Sequence, residues 1–254
     1  MTLLLVPFHL DEALDGFAVS ALDAGRIIRV PLPEAGPWQR MAALYAEVAS
    51  AVTHAAGVPV VASGDCTTSL GCLAGLQGKG LDPAIVWFDA HGDFNTDETT
   101  PSGYLGGMPL AIAVGRGDQT APRALGLRPI EEQRAILVDA RDLDPAEREA
   151  LDRSAVRRVP VSALDPEAQL DPRILPPGPI YLHLDLDVLD PPELPGLRFP
   201  SPGGVRRAEL ARAVAAVIAT GRVAAIGLAC TWWPDRVDSA AAGSIVQQLL
   251  EVQE

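Results

Sequence analysis

The sequence predicts an α/β protein, a three-layer α/β/α sandwich around a mostly parallel sheet. Short, almost wholly apolar runs alternate with longer stretches of helical periodicity along the chain. Strands that apolar belong in a parallel sheet covered by helices on both faces. Hydrophobic residues make up 48% of the 254 and charged residues 21%, enough for a sizeable buried core. No internal repeat or low-complexity tract interrupts the alternation, so a single domain spanning 1–254 is expected.

In chain order, the apolar runs Leu3–Val6, Pro59–Ala62, Ile85–Phe88, Ala135–Val138, Ile180–Leu184 and Val223–Leu228 read as strands. Trp38–Ala56, Ser69–Leu76, Asp144–Asp152, Arg206–Thr220 and Ser239–Glu251 read as helices. The Pro-rich stretches Leu175–Pro179 and Asp190–Pro202 read as loops on either side of a strand. Ala211–Cys230 is the most membrane-like stretch. It holds Arg212, Gly221 and Arg222, and fits a helix followed by a strand better than a span. Met1–Pro7 lacks the basic start and the apolar length of a signal peptide. Cys66, Cys72 and Cys230 show no disulfide framework. A soluble, cytoplasmic protein without a membrane partner is expected.

Charge narrows the function. The balance of 20 basic against 33 acidic residues, net −13, argues against nucleic-acid binding, which needs clustered Lys and Arg. Polar clusters follow five of the predicted strands: Gly64-Asp65-Cys66, Asp89 to Asp93, Asp139 to Asp144, Asp185 with Asp187, and Cys230-Thr231. In open α/β sheets the binding crevice lies outside the carboxyl ends of the strands, so these segments should meet at one edge. Asp89, His91 and Asp93 alternate at i, i+2 and i+4, and extended backbone would aim them the same way, as it would Asp185 and Asp187. Four carboxylates and an imidazole in one crevice repel unless divalent cations neutralise them, and the set suits Mn²⁺ or a similar metal. Two metals roughly 3.5–4 Å apart could share a bridging carboxylate and activate a water. Taken singly, either motif reads as a capped turn or a solvated loop; their joint occurrence at strand ends is what points to a metal.

At these residues the chain resembles the ureohydrolases, the arginase/agmatinase/formiminoglutamase family. The resemblance rests on Asp89-Ala90-His91-Gly92-Asp93-Phe94-Asn95-Thr96, on Gly107-Met108-Pro109 and on His183-Leu184-Asp185-Leu186-Asp187-Val188-Leu189-Asp190-Pro191. It implies a homo-oligomer of the arginase-like fold with two Mn²⁺ per chain, hydrolysing a guanidino or amidino C–N bond through a metal-bridging hydroxide. Carried over by motif, Asp89, His91, Asp93, Asp185 and Asp187 are ligands, with Asp93 also catalytic through orientation of the hydroxide. The sixth ligand of the family is a histidine; here Ser63-Gly64-Asp65-Cys66 puts Cys66 in its place. A thiolate ligand favours other divalent metals such as Zn²⁺, Fe²⁺ or Co²⁺, and the alternative is a weakened or vacant first metal position.

The resemblance also implies how substrate is held. Asn95, Thr100 and Ser102 match positions that bind an amino-acid carboxylate. Arg141-Asp142-Leu143-Asp144-Pro145 makes Asp144, helped by Glu147, the partner of the α-amino group. The bland alternative is that these residues only cap turns and a helix. The reacting end departs from arginase: Tyr104 and Gly106 stand where an asparagine and a proton-shuttling histidine are expected, and Thr231 replaces a glutamate that pairs with the guanidinium. Losing that anion is costly for a buried cation, so a less basic substrate is favoured. Nω-hydroxy-L-arginine is therefore preferred over L-arginine. A formiminoglutamase-like hydrolase and a catalytically silent ligand-binding relative are the alternatives.

Overall fold

A computed structural model describes residues 2–19, 24–160 and 171–250. Eight strands form one sheet in the order β4-β1-β5-β10-β9-β6-β7-β8. They are β1 (Thr2–Val6), β4 (Ala24–Ile27), β5 (Pro59–Ser63), β6 (Ala84–Asp89), β7 (Ala135–Asp139), β8 (Arg157–Val159), β9 (Ile180–Asp185) and β10 (Val223–Ala229). Every pairing is parallel, so the mostly parallel expectation is met in full. A two-stranded antiparallel pair, β2 (Phe8–His9) with β3 (Glu12–Ala13), stands apart from the sheet.

The strands alternate between two cores. Val61, Ile85, Trp87, Leu137 and Tyr181 face one core with α1 (Pro37–His54), α2 (Ser69–Gly78), α3 (Pro109–Ala113), α4 (Thr120–Leu125) and Leu151 of α5 (Pro145–Asp152). Val60, Val86, Phe88, Ile136, Leu182 and Ile226 face the other, covered by α6 (Arg207–Ile218) and α7 (Ser239–Leu250). This is the three-layer sandwich the apolar runs predict. The central strands are buried on both faces, which is why they read as continuous apolar runs rather than alternating ones.

Six strands and five helices expected from the pattern are present, with ends within a residue or two; Glu251, the expected end of α7, lies outside the described residues. Two edge strands went unread: β4 carries Arg26, and β8 begins Arg157-Arg158 with both exposed. Edge strands need bury only part of their length, so they lack the apolar signal. The short helices α3 and α4 hold too few residues for a helical period to show. Among the described residues no helix is long and apolar enough to cross a membrane. Cys66, Cys72 and Cys230 are free and buried.

Candidate metal centre

Four neighbouring strands, β5, β10, β9 and β6, end side by side. Their register sets Ser63, Ala229 and Asp185 level, and pairing of Phe88 with Leu184 brings Asp89 beside Asp185. Every predicted site residue lines one cavity of about 280 Å³ beyond these ends. They are Cys66, Asp89, His91, Asp93, Asn95, Thr100, Ser102, Asp144, Glu147, Asp185, Asp187 and Thr231.

The side chains converge by a route other than the expected one. β6 stops at Asp89, and Asp93 sits in the left-handed region at φ 49°. β9 likewise stops at Asp185, and Asp187 lies in the 3₁₀ turn Leu186–Val188. Extended alternation therefore does not aim these residues. Tight turns fold the chain back over the strand ends, and the turns are held by the carboxylates themselves. Asp89 Oδ1 accepts from His91 N at 2.7 Å, and Asp185 Oδ1 accepts from Asp187 N at 2.8 Å. A non-glycine residue at positive φ at such a place is backbone strain kept at a functional site.

Across the floor, His91 Nδ1 lies 3.1 Å from Asp187 Oδ2 and 3.5 Å from Asp89 Oδ1. The Cys66 thiol donates to Asp185 Oδ2 at 2.9 Å, and the Thr231 hydroxyl donates to Asp185 Oδ1 at 2.9 Å. Trp87 Nε1 donates to Asp89 Oδ2 at 3.1 Å. Asp93 Oδ2 is buried without any hydrogen-bond partner among the described residues. Cys66 is positioned by the residue before it: buried Asp65 caps the turn Cys66–Thr68 through Thr67 N at 2.8 Å and accepts from Leu10 N at 2.6 Å.

Electrostatics show what this floor lacks. Burial pushes the Asp93 and Asp185 carboxyls well above the usual carboxylate range, and neighbouring carboxylates add to it. Asp187 is raised to about 6 by burial and Asp89, with His91 opposing. Burial opposes charge on His91, but Asp187 and Asp89 outweigh it and lift the imidazole to about 12. Asp89 feels the same burial, yet its contacts with His91 hold it below the usual value. Burial and the Asp185 charge push the Cys66 thiol up. Protons thus stand in where positive charge is wanted, and divalent cations can displace them.

The donor set fits such cations. Ligand atoms of Asp89, His91 and Asp187 lie within 4.8 Å of one another, and so do those of Cys66, Asp89 and His183, with Asp89 common to both groups. A shared carboxylate between two donor groups is the arrangement of a two-cation centre.

The wall of the cavity carries the other predicted residues. Asn95 Nδ2 donates to Asp144 Oδ2 at 3.1 Å, so the two ends of the expected amino-acid pocket meet. Glu147, raised to about 7 by burial, accepts from Phe94 N at 2.9 Å and ties the β6 loop to the start of α5. The Thr100 and Ser102 hydroxyls accept from Gly103 N and Tyr104 N in their own turn. Tyr104 fills the space over Gly106, where any β-carbon would overlap its ring. Its hydroxyl lies 3.2 Å from His9 Nε2, and His9 Nδ1 lies 2.8 Å from the Gly64 carbonyl.

Several of these contributors escape sequence reading. His9 sits in a two-residue strand far from any motif. Phe199, 39% exposed, closes the cavity mouth against Tyr104 and His91 from a Pro-rich loop. Arg141 signals only as part of a motif, yet its guanidinium binds Asp139 and donates to the carbonyls of Asp187 and Ser201 at 3.0 and 2.7 Å. Of the two tryptophans after β10, Trp232 packs on Phe17 in the core and Trp233 lies at the surface under Arg198. Neither lines the cavity. His183 is buried, its Nδ1 3.0 Å from Ser69 Oγ and its Nε2 without a hydrogen-bond partner among the described residues, and burial lowers it to about 3.

Comparison with known proteins decides the family, because the arginase family model matches residues 8–231. The chain belongs to the arginase family. By family it is thus a ureohydrolase-type hydrolase, and arginase family members are binuclear metalloenzymes. It is 36% identical over 193 residues to an N(omega)-hydroxy-L-arginine amidinohydrolase of Streptomyces lavendulae, covering 76% of this chain and 67% of that one. It is also 36% identical over 155 residues to an arginase of Bacillus subtilis, covering 58% of this chain and 52% of that one. The alignments thus span about half to two thirds of these arginase-family relatives. In structure the chain is similar to crystalline B. subtilis arginase, with TM-score 0.81 and 26% identity over 100% of this chain and 98% of that one. The arginase of Bacillus caldovelox gives TM-score 0.82 at 25% identity over 100% and 98%.

Proposed function

We propose that this arginase-family chain hydrolyses the guanidino C–N bond of an arginine-like α-amino acid, with Nω-hydroxy-L-arginine preferred over L-arginine. The observation that carries the reading is one cavity with an anionic floor and an amino-acid-sized polar wall. In this reading Asp89, His91, Asp93, Asp185, Asp187 and Cys66 hold two divalent cations, Mn²⁺ in the oxygen-rich position and a Mn²⁺ or more thiophilic ion beside Cys66. Bound cations supply a Lewis-acidic centre that polarises the guanidino group and makes water a nucleophile near neutral pH.

The chain's own groups do the rest. Asn95, Thr100 and Ser102 receive the substrate carboxylate, and Asp144 with Glu147 receives the α-ammonium, which places the guanidino carbon over the floor. Asp93 Oδ2, buried and without a hydrogen-bond partner among the described residues, accepts a hydrogen bond from the attacking water and takes its proton. The bond from the guanidino carbon to the side-chain nitrogen breaks, releasing urea or hydroxyurea and an ω-amine. That amine takes the proton back through Asp93, with the Tyr104 hydroxyl and His9 behind it on the wall.

Specificity follows from what faces the guanidino group. Thr231 offers a hydroxyl already donated to Asp185, and no further carboxylate to pair with a full cation. A less basic N-hydroxyguanidine enters neutral and loses less on burial. The relative from S. lavendulae named for Nω-hydroxy-L-arginine supports the same direction. The test is product release by the metal-loaded protein from both compounds. A kcat/KM for hydroxyurea release at least tenfold above that for urea release is expected. Equal values would remove the preference, and release from N-formimino-L-glutamate alone would replace the substrate class.

A further inference from the structure

We propose that His183 is itself a metal ligand, its Nε2 joining Cys66 Sγ and an Asp89 oxygen around the cation on the Cys66 side of the floor. The inference rests on the two-cation reading above and adds a residue to it. Cys66, Asp89 and His183 each bring a ligand atom within 4.8 Å of the other two. The His183 side chain is 1% exposed, and its Nε2 has no hydrogen-bond partner among the described residues. A buried imidazole nitrogen left unpaired is costly, and a cation held with Cys66 and Asp89 removes that cost.

The surroundings of His183 are built to aim it. Its Nδ1 lies 3.0 Å from Ser69 Oγ, which also accepts from the Tyr181 hydroxyl at 2.8 Å. A hydroxyl oxygen can accept two hydrogen bonds, so Ser69 can take one from Tyr181 and one from His183 Nδ1–H. That leaves the lone pair on Nε2, and a second hydrogen bond of this kind is what metal-bound histidines normally have. Trp87 stacks on the ring at 3.6 Å between centroids while its Nε1 donates to Asp89, so one indole fixes two members of the group. At Gly227, paired with His183 on β10, any β-carbon would overlap the Tyr181 hydroxyl. The sheet leaves out a side chain where this chain of contacts passes.

Chemistry then separates the two positions. A donor set that includes thiolate and imidazole beside carboxylate would suit Zn²⁺, Co²⁺ or Fe²⁺. The Asp89–His91–Asp187 group is oxygen-rich and suits Mn²⁺. His183 thereby supplies from the strand below the imidazole that Cys66 does not supply from its loop.

Nitrogen-15 imidazole spectra of the full-length protein, titrated with Zn²⁺, test this without any substitution. There are four histidines, and each resonance is assigned through its backbone. Metal-bound nitrogen shifts are expected at two, His91 and His183, with the bound nitrogen of His183 being Nε2. Competition with a chromogenic chelator adds a second reading: His183→Gln should weaken one of two Zn²⁺ positions by more than the about 10–100-fold typical of losing an outer-sphere partner, and leave the other unchanged. Zn²⁺ binding that shifts His91 alone, or a His183→Gln protein with both affinities intact, overturns the inference while the two-cation reading stands. A protein that takes up no Zn²⁺ and shows no shifted imidazole overturns the two-cation reading itself.

Discussion

On the floor of the cavity, Asp89, Asp185 and Cys66 stand at or just past the ends of parallel neighbouring strands, almost fully buried. On the wall, Thr100, Ser102 and Tyr104 ride on one loop, half-buried or exposed, and hold mostly their own turn. The floor is fixed by sheet register, which cannot change without moving the core. The loop that carries Thr100 and Ser102 is held at those two residues by hydrogen bonds within its own turn. Groups that need sub-ångström placement are best carried on the sheet, and a loop is where replacement is cheap. The departures from the arginase pattern at Tyr104 and Gly106 fall on the wall, whereas Cys66 and Thr231 reach the floor.

The strongest way to break this contrast is to remove a floor carboxylate. Asp89→Asn should lower kcat by at least about a thousand-fold, since metal polarisation is worth several kcal/mol and each 1.36 is tenfold. The variant should also retain fewer metal ions per chain, as elemental analysis will show. Loss of activity with metal content unchanged would place Asp89 in a different role.

Next in size is the effect of Arg141, which holds the Asp187 turn by its carbonyl and, half-buried, pairs with Asp139. Arg141→Ala should weaken metal affinity by about 10–100-fold although Arg141 touches no cation, read by chelator competition. Unchanged affinity would mean that the turn holds its shape alone.

Acidity sharpens the same point. Asp139 and Glu147 are raised to about 7 and Asp187 to about 6, chiefly by burial, and burial raises Asp93 and Asp185 well above the usual carboxylate range as well. Between the ordinary carboxylate value and these raised values the folded protein holds protons that the unfolded chain has released, so stability falls as pH rises. His91, raised to about 12, acts in the same direction above its ordinary value of 6.5. His183, lowered to about 3, opposes the trend below 6.5. The Tm of the metal-free protein should therefore drop between pH 5 and pH 8, and saturating Mn²⁺ should flatten or reverse the drop. Calorimetry at the two pH values checks it, and a metal-free Tm that rises with pH contradicts it.

The smallest effects belong to the wall. Asn95→Ala removes a hydrogen bond to Asp144 and one proposed contact to the substrate carboxylate. It should raise KM by roughly 10–150-fold with kcat changed little, as expected when a uniform binding contact worth about 1.5–3 kcal/mol is lost. A fall in kcat alone would move Asn95 from binding to chemistry.

The same contrast explains what was legible in the sequence. The floor could be read because central strands are apolar runs and each ends in a short polar motif, so order along the chain maps onto neighbours in the sheet. How the floor closes could not be read: the left-handed Asp93 and the 3₁₀ turn at Asp187 break the extended pattern at the functional site. Position on a strand is all that the sequence reveals of His183; the free Nε2 among the described residues depends on what Ser69 and Trp87 do from other elements. His9, Phe199 and the clamp made by Arg141 reach the cavity from loops or a two-residue strand, where no periodicity marks them. The edge strands β4 and β8 carry arginines for the same reason that they are edges.

The most direct test of the central claim is the number of divalent ions held per chain after equilibrium dialysis against Mn²⁺, with elemental analysis of the protein. The account predicts two, falling to one or none in Asp89→Asn, because Asp89 belongs to both donor groups. A protein that retains none, with its fold intact, would show that the buried carboxylates of the floor keep their protons instead of binding cations, and the hydrolytic reading would fall with them.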